Sequence, residues 1–417
     1  CNPVQFILFA RSMHIMSRKH LIVVVVLLTH YNWVQGVSEN EKLALETLYY
    51  STNGAHWKNN TNWLTGDPCE QAWYGLTCGA FPQVSVYQIY LGYNNLTGTL
   101  PENISYLLEL KTLDLPGNNI GNPLPNSLQN LPVISKLSLE GNKLSGTIPS
   151  ILWNMTSLTD LSLNSNDLSG TIPHFLSDLK RLELGANKLS GTIPENMDYK
   201  NLEILLLSNN DLTGTIPSSI GNLSSLSTLY LDGNQLTGTI PLSVTGISTL
   251  KYLALNFNLL NGTIPVEMGN MNLIELQLAY NQVTGTLPPQ FGNITTLRVL
   301  DLTGNYFVGT IPEEIRKDYF TFSLGNNYFQ SPLPTFLQTE PQPNFVNFDL
   351  TNNNFTCPVP LWCGELGNQD CLPCNTVVTS ASVTPSVSFS ASKSILHTES
   401  LTTTVTPTTT GTPTTSV

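Results

Sequence analysis

Apolar residues recur along this chain in a fixed cadence. The spacing LxxLxLxxNxLxGxIP returns twelve times, beginning at residues 86, 110, 134, 158, 179, 202, 226, 250, 273, 297, 319 and 345, mostly 24 residues apart. Leu226 to Pro241 is a clear copy, with Leu226, Leu229, Leu231, Asn234, Leu236, Gly238, Ile240 and Pro241 in the marked places. Apolar positions alternate within LxLxx, which predicts a short strand with leucines pointing inward and the intervening side chains outward. A single copy cannot bury its leucines alone. Neighbouring copies must close over one another, which gives an α/β solenoid with a stacked parallel sheet and a need for caps at both ends.

One polar column runs through this apolar pattern. Asn fills the ninth place in every copy: Asn94, Asn118, Asn142, Asn166, Asn187, Asn210, Asn234, Asn258, Asn281, Asn305, Asn327 and Asn353. A buried amide is costly unless bonded, but its two donors and its oxygen can serve backbone groups freed where the chain turns out of the strand. The column is therefore read as a structural ladder. Gly in the thirteenth place permits close approach or positive φ, and Pro in the sixteenth ends the second extended stretch. Two copies depart from the pattern. Asn122 and Pro123 stand in repeat two where Gly and Thr are usual, which predicts a distorted second strand; repeat five begins only 21 residues after repeat four, which predicts a trimmed convex loop and a local change of curvature.

The pattern resembles the plant-type leucine-rich repeat over about residues 38 to 374. The resemblance implies a right-handed superhelix of about twelve repeats with a concave parallel β-sheet, a second sheet built by LxGxIP, and disulfide-capped ends. Leu43 to Tyr49, Asn53-Gly54, Trp57, Trp63, Cys69, Trp73-Tyr74-Gly75 and Cys78 look like that family's N-terminal cap, and Phe355-Thr356-Cys357-Pro358 with Trp362-Cys363 like its C-terminal cap. Ser38 with Glu41 forms a capping-box pattern that would start the first helix. The expected domains are a leader and signal peptide (1–36), an N-terminal cap (37–85), the repeats (86–360), a Cys-rich cap (361–374) and a disordered stalk (375–417).

The chain ends carry further signals. Arg18 and Lys19, an apolar run from Leu21 to Leu28 and small residues ending at Gly36 read as a secretory signal peptide, the apolar run being too short to span a membrane. Cys69 and Cys78 precede the repeats and Cys357, Cys363, Cys371 and Cys374 follow them. That distribution fits stapled ends in an oxidising compartment, with the pairing of the last four open. N-glycosylation sequons at Asn59, Asn95, Asn103, Asn154, Asn222, Asn261, Asn293 and Asn354 agree with secretion. The Thr-, Ser- and Pro-rich tail reads as an O-glycosylated stalk, and stalks usually lead to an anchor.

Net charge is −12, and residues 1–36 hold basic Arg11, Arg18 and Lys19 but no acidic residue, so the processed chain is more acidic still. Nucleic acid is excluded as a partner on that balance. His56, His174 and His397 lack the spacing of metal or nucleophilic sites, and Glu313, Glu314 and Asp301 read as solvated loop charge. No enzyme activity, cofactor or metal is expected of this chain, although in the family a kinase can follow such a stalk. Binding is expected on the outward positions of the concave sheet, where Tyr230, Tyr252, Phe257 and Tyr280 would stand on adjacent strands ~5 Å apart, with Asp232 and Gln277 beside them. The resemblance implies a secreted or cell-surface recognition module for a protein, peptide or glycan, with an inhibitor of cell-wall-degrading enzymes as an alternative. The residues themselves raise another. Thr99, Thr147, Thr171, Thr192, Thr215, Thr239, Thr263, Thr286 and Thr310 form a column that could order water and bind ice, although Thr is also simply a good strand former.

Overall fold

A computed structural model describes residues 36–79, 84–150, 152, 155–172, 178–196, 199–315, 319–339 and 347–356. The signal segment, Asn154, His174, Cys357, Cys363, Cys371, Cys374 and the tail lie outside the described residues. The chain divides into two compact units, residues 1–374 and 375–417, and every described residue belongs to the first.

Helix α1 (Glu39–Ser51) starts at a complete capping box: the Ser38 hydroxyl accepts from the Glu41 backbone N–H, and the Glu41 carboxylate accepts from that of Ser38. The same carboxylate reaches the first repeat, accepting from the Val86 N–H at 3.1 Å. Ala44, Leu45 and Leu48 bury one face of the helix, and Trp57, Trp63 and Trp73 pack edge to face or tilted beside it. Each indole N–H finds a carbonyl, on Thr52, Tyr74 and Thr65 respectively, so three large rings are buried without an orphaned donor. Cys69 and Cys78 are joined by a disulfide with Cα atoms 5.8 Å apart.

Thirteen strands form one long sheet. Leu76–Gly79 runs antiparallel to Ser85–Tyr90, and from there the strands are parallel, one from each of the twelve repeats, ending at Asn347–Asp349. Register keeps the leucines in file, Leu205, Leu229 and Leu253 lying side by side. Repeat seven shows how one coil spends its apolar residues: Leu226, Leu229, Leu231, Leu236, Ile240, Val244 and Ile247 are all buried. In the last repeats phenylalanine takes over, and Phe307 stacks on Phe329 at 5.8 Å. Proline opens short 3-10 turns on the convex side, as Pro217 does for Ser218–Asn222 and Pro241 for Leu242–Gly246.

The second sheet runs beside the first, built from the LxGxIP strands of repeats one to eleven. Backbone bonds carry it from repeat six to seven, Gln235 N–H to Leu212 and Thr237 N–H to Gly214, and from eight to nine, Gln282 N–H to Leu260 and Thr284 N–H to Gly262. The distortion expected in repeat two is absent: Asn119–Asn122 is a strand paired on both sides, because Asn122 takes the left-handed φ of 67° that glycine would supply. The 21-residue step into repeat five leaves the long sheet in register, Leu161 beside Leu182. The shortening falls between Thr171 and Arg181, and the trimmed loop and change of curvature expected there involve residues 173–177, which lie outside the described residues.

The asparagine ladder binds each coil to the one before it. Asn258 Nδ2 donates to the carbonyls of Leu231, one repeat back, and Leu255, while its Oδ1 accepts from the Leu236 N–H at 2.9 Å. The same pattern holds from Asn118 to Asn353, and Asn94 closes the series by exchanging hydrogen bonds with the backbone of Asn59 in the N-terminal segment. Ten of the twelve are buried; Asn187 and Asn353 are half-buried. Asn258→Ala leaves the Leu236 N–H unpaired and takes one of two donors from each of the Leu231 and Leu255 carbonyls, which keep Asn234 and Asn281, so equilibrium denaturation is expected to show a loss of about 1–3 kcal/mol, against less than about 0.5 kcal/mol for the exposed Gln235→Ala. Equal effects would remove the ladder from the account of stability.

Candidate ligand-binding face

The outward side chains of the long sheet stand in rows set by strand register. Thr228 lies beside Tyr252 and Tyr252 beside Glu275; in the next row Tyr230 lies beside Ala254 and Ala254 beside Gln277. Tyr230 and Tyr252 thus occupy adjacent strands, one row apart. Phe257 and Tyr280 do not lie on the strands. They sit in the turn that follows, immediately before Asn258 and Asn281, because the strand alternation ends as the chain bends toward the ladder.

That turn position has positive φ in all twelve repeats. Glycine takes it at Gly117, Gly141, Gly233 and Gly304, and asparagine at Asn209, Asn326 and Asn352. Phe257 (φ 52°) and Tyr280 (φ 54°) hold it with bulky rings, at a backbone cost of about 1–2 kcal/mol each. The two rings stack at 4.8 Å and 13°, half exposed, and the Tyr280 ring lies over Gly304, where a Cβ would come within 2.8 Å of it. Such strain persists where the surroundings impose it, and it concentrates at functional positions.

Beside the stack runs a polar network that sequence reading saw only in part. Ser208 Oγ donates to Asp232 at 2.5 Å; Gln277 donates to Glu275 at 2.5 Å; and Asn256 donates to Gln277 while accepting from the Ala279 N–H at 2.7 Å. Ser208, Asn256 and Glu275 were missed. The first two share one column with Asp232, and extending that column across the repeats would have found them. Burial raises the Asp232 carboxyl above its ordinary range, against the Ser208 hydrogen bond, and also raises Glu275, with Asp232 adding to the effect. The Tyr230 phenol is pushed up to about 12 by burial, then by Glu275, Asp232 and Tyr252. Tyr87, Tyr90 and Tyr93 divide: the Tyr87 ring covers Gly79 and receives Lys111 at 5.0 Å, while Tyr90 and Tyr93 are exposed.

The threonine column lies on the second sheet. Methyls of Thr147, Thr171, Thr192, Thr215, Thr239 and Thr263 each face the glycine of the next coil, at 2.6–2.9 Å from where its Cβ would be, so these glycines leave room for the methyls. Hydroxyls two places earlier, as in Thr213, Thr237 and Thr284, donate to the preceding coil's glycine carbonyl. Sequons Asn95, Asn261 and Asn354 lie on or beside this sheet, and Asn222 and Asn293 end convex turns. Asn59 lies in the N-terminal segment and Asn103 in the first convex turn, so no described sequon is an outward residue of the long sheet. Among the described residues, no group of His, Cys, Asp and Glu is placed to hold a metal ion.

Comparison with known proteins agrees with this geometry. Two family descriptions, both leucine-rich repeat, match residues 84–144 and residues 134–155, 157–179, 201–223, 225–247, 272–294 and 296–317. The plant peptide hormone receptor RGFR1, solved in complex with RGF2, superposes with a TM-score of 0.55 at 29% identity over 65% of this chain and 48% of that one. The chain is a leucine-rich-repeat solenoid, similar in fold to plant receptor ectodomains. A probable leucine-rich repeat receptor-like protein kinase of Arabidopsis thaliana is 46% identical over 56 residues, which is 13% of this repeat chain and 6% of the kinase. A plant ice-binding protein superposes with a TM-score of 0.56 at 26% identity, covering 78% of this leucine-rich-repeat chain and 98% of that one. The chain thus spans about half the length of the solved receptor and a small part of the kinase.

The raised carboxyls give a test of the network in this leucine-rich-repeat face. The folded Asp232 binds its proton more tightly than the unfolded chain does, so its charge costs stability at neutral pH, and the cost fades as pH falls through the folded pKa. Asp232→Asn, which keeps an acceptor for Ser208, should melt above the parent at neutral pH, with the gap closing on acidification. A gap that widens in acid would contradict the assignment.

Proposed function

We propose that this chain is an extracellular recognition module, the ectodomain of a cell-surface receptor-like protein, that binds a protein or peptide on the concave face of its long sheet and carries out no chemistry itself. The observation that supports this most is the group at repeats seven to nine: Tyr230, Tyr252, Asp232, Glu275 and Gln277 beside the strained Phe257–Tyr280 stack, none of which the core or the ladder uses. Exposed aromatics held rigidly beside polar groups are what binding anchors require. Glycans at the described sequons would stand on the second sheet, the convex turns and the N-terminal segment, leaving this face bare. The structural likeness to a peptide-hormone receptor favours a peptide over a glycan.

Ice binding is the second reading. It is favoured by the regular threonine column and by the likeness to the plant ice-binding protein over nearly all of that chain. Against it stands the sequon at Asn261 within the second sheet, where a glycan would cover the column. Tyr252→Ala combined with Tyr280→Ala is expected to abolish recovery of a partner in pull-downs from plant apoplastic extract while Thr192→Val with Thr215→Val leaves it unchanged. Thermal hysteresis in the parent, lost on the threonine substitutions, would replace the recognition reading with ice binding.

A further inference from the structure

Repeat two loosens the packing of the second sheet on both of its sides. From repeat three to repeat nine, the threonine methyl in the fourteenth place sits 2.6–3.0 Å from where a Cβ on the next coil's glycine would be, so methyl and glycine interlock. Asn122 stands where a glycine would receive the Thr99 methyl, and Pro123 stands where a methyl would reach Gly146, its own Cβ staying 3.7 Å from that place. Neither junction closes in the regular way. A cleft of about 490 Å³ opens there, between the second sheet and the convex turns of repeats one and two, with Thr147 and Pro149 of repeat three on its far wall. That volume is in the range of small-ligand sites.

The lining is chemically mixed. Pro123, Pro125 and Pro149 give it apolar faces on a backbone that their rings hold stiff. Around them Thr99, Asn122, Asn126 and Thr147 carry hydroxyl and amide groups, and none of these four side chains hydrogen-bonds to another described residue. Glu102 is the charged residue of the lining, its Oε2 fixed by the Ser127 N–H at 3.0 Å. No Lys or Arg lines the cleft. The neighbouring sequons face the other way: Asn95 donates to the His56 carbonyl and Asn103 to Thr47, both in the N-terminal segment, so glycans there would not start toward repeats two and three. Apolar faces ringed by amides and hydroxyls complement a pyranose, whose C–H faces are apolar and whose edge hydroxyls both donate and accept. One fixed carboxylate strengthens its bond to a hydroxyl and disfavours an acidic sugar.

We propose that this cleft binds a pyranose unit of a neutral glycan chain, at a site separate from the concave face. None of its lining residues belongs to the long sheet, so it stands or falls independently of the reading above. The two residues by which repeat two departs from its neighbours, Asn122 and Pro123, are the two that open it.

Calorimetric titration of the full chain with cellohexaose, xylohexaose, mannohexaose and chitohexaose, and with hexagalacturonate as the acidic probe, tests this. At least one neutral hexaose is expected to bind with a dissociation constant of about 1 mM or tighter, and hexagalacturonate about tenfold more weakly or not at all. Asn122→Gly combined with Pro123→Thr restores the regular repeat, so it should melt no lower than the parent while the new methyl closes on Gly146 and affinity falls about tenfold or more. The exposed Asn126→Ala should cost about fivefold, and Tyr252→Ala nothing. Binding that survives the restored repeat, hexagalacturonate binding as tightly as the neutral sugars, or no neutral hexaose bound at about 10 mM overturns the proposal. Loss of sugar binding on Tyr252→Ala would move the sugar to the concave face and overturn the cleft as its site.

Discussion

A backbone N–H that gives up its hydrogen to an asparagine in the next coil is the interaction on which this molecule depends. Leu236 to Asn258, Leu260 to Asn281 and Val283 to Asn305 repeat it along the solenoid, and each asparagine returns two bonds to carbonyls of its own and the preceding coil. The chain must turn out of the strand at every repeat, and that turn frees polar groups inside an apolar stack. Burying them unpaired would cost about 1–3 kcal/mol for each group, in every repeat. The ladder removes that cost and makes each coil's stability a property of its neighbour, as expected of a one-dimensional stack.

This constraint separates interior from exterior. Leucine files, ladder asparagines and the glycines that receive threonine methyls are committed to holding coils together. Outward strand residues are not. Their freedom shows in the variety along each row, from Lys136 and Asp160 to Tyr252 and Glu275. The outer face also departs from the least costly solution, as when Phe257 and Tyr280 take a turn position that Gly233 and Gly304 occupy without strain, and that cost is what the proposed recognition role would account for.

Much of this was legible from the cadence of leucines. Each of the twelve repeats supplies one strand of the long sheet, and the ladder's role followed from the chemistry of an amide. Two expectations failed for local reasons. Asn122 fits the left-handed place of glycine, so repeat two is not distorted, and alternation places residues only as far as the strand lasts, so Phe257 and Tyr280 fell in the turn. Asn256 and Ser208 were hidden because their contacts run between coils, to Gln277 and Asp232, and Glu275 because its partner Gln277 lies two places along its own strand. Reading one repeat at a time does not bring such partners together.

Amide hydrogen exchange resolved to single residues tests the ladder most directly. The N–H groups of Leu236, Leu260 and Val283 should exchange among the slowest in the chain, far behind Leu242 and Ser243 at the start of a convex turn, if their bonds to asparagine oxygens open only when neighbouring coils separate. Ladder amides that exchange as fast as those of exposed convex turns would show that the asparagines decorate the stack without holding it.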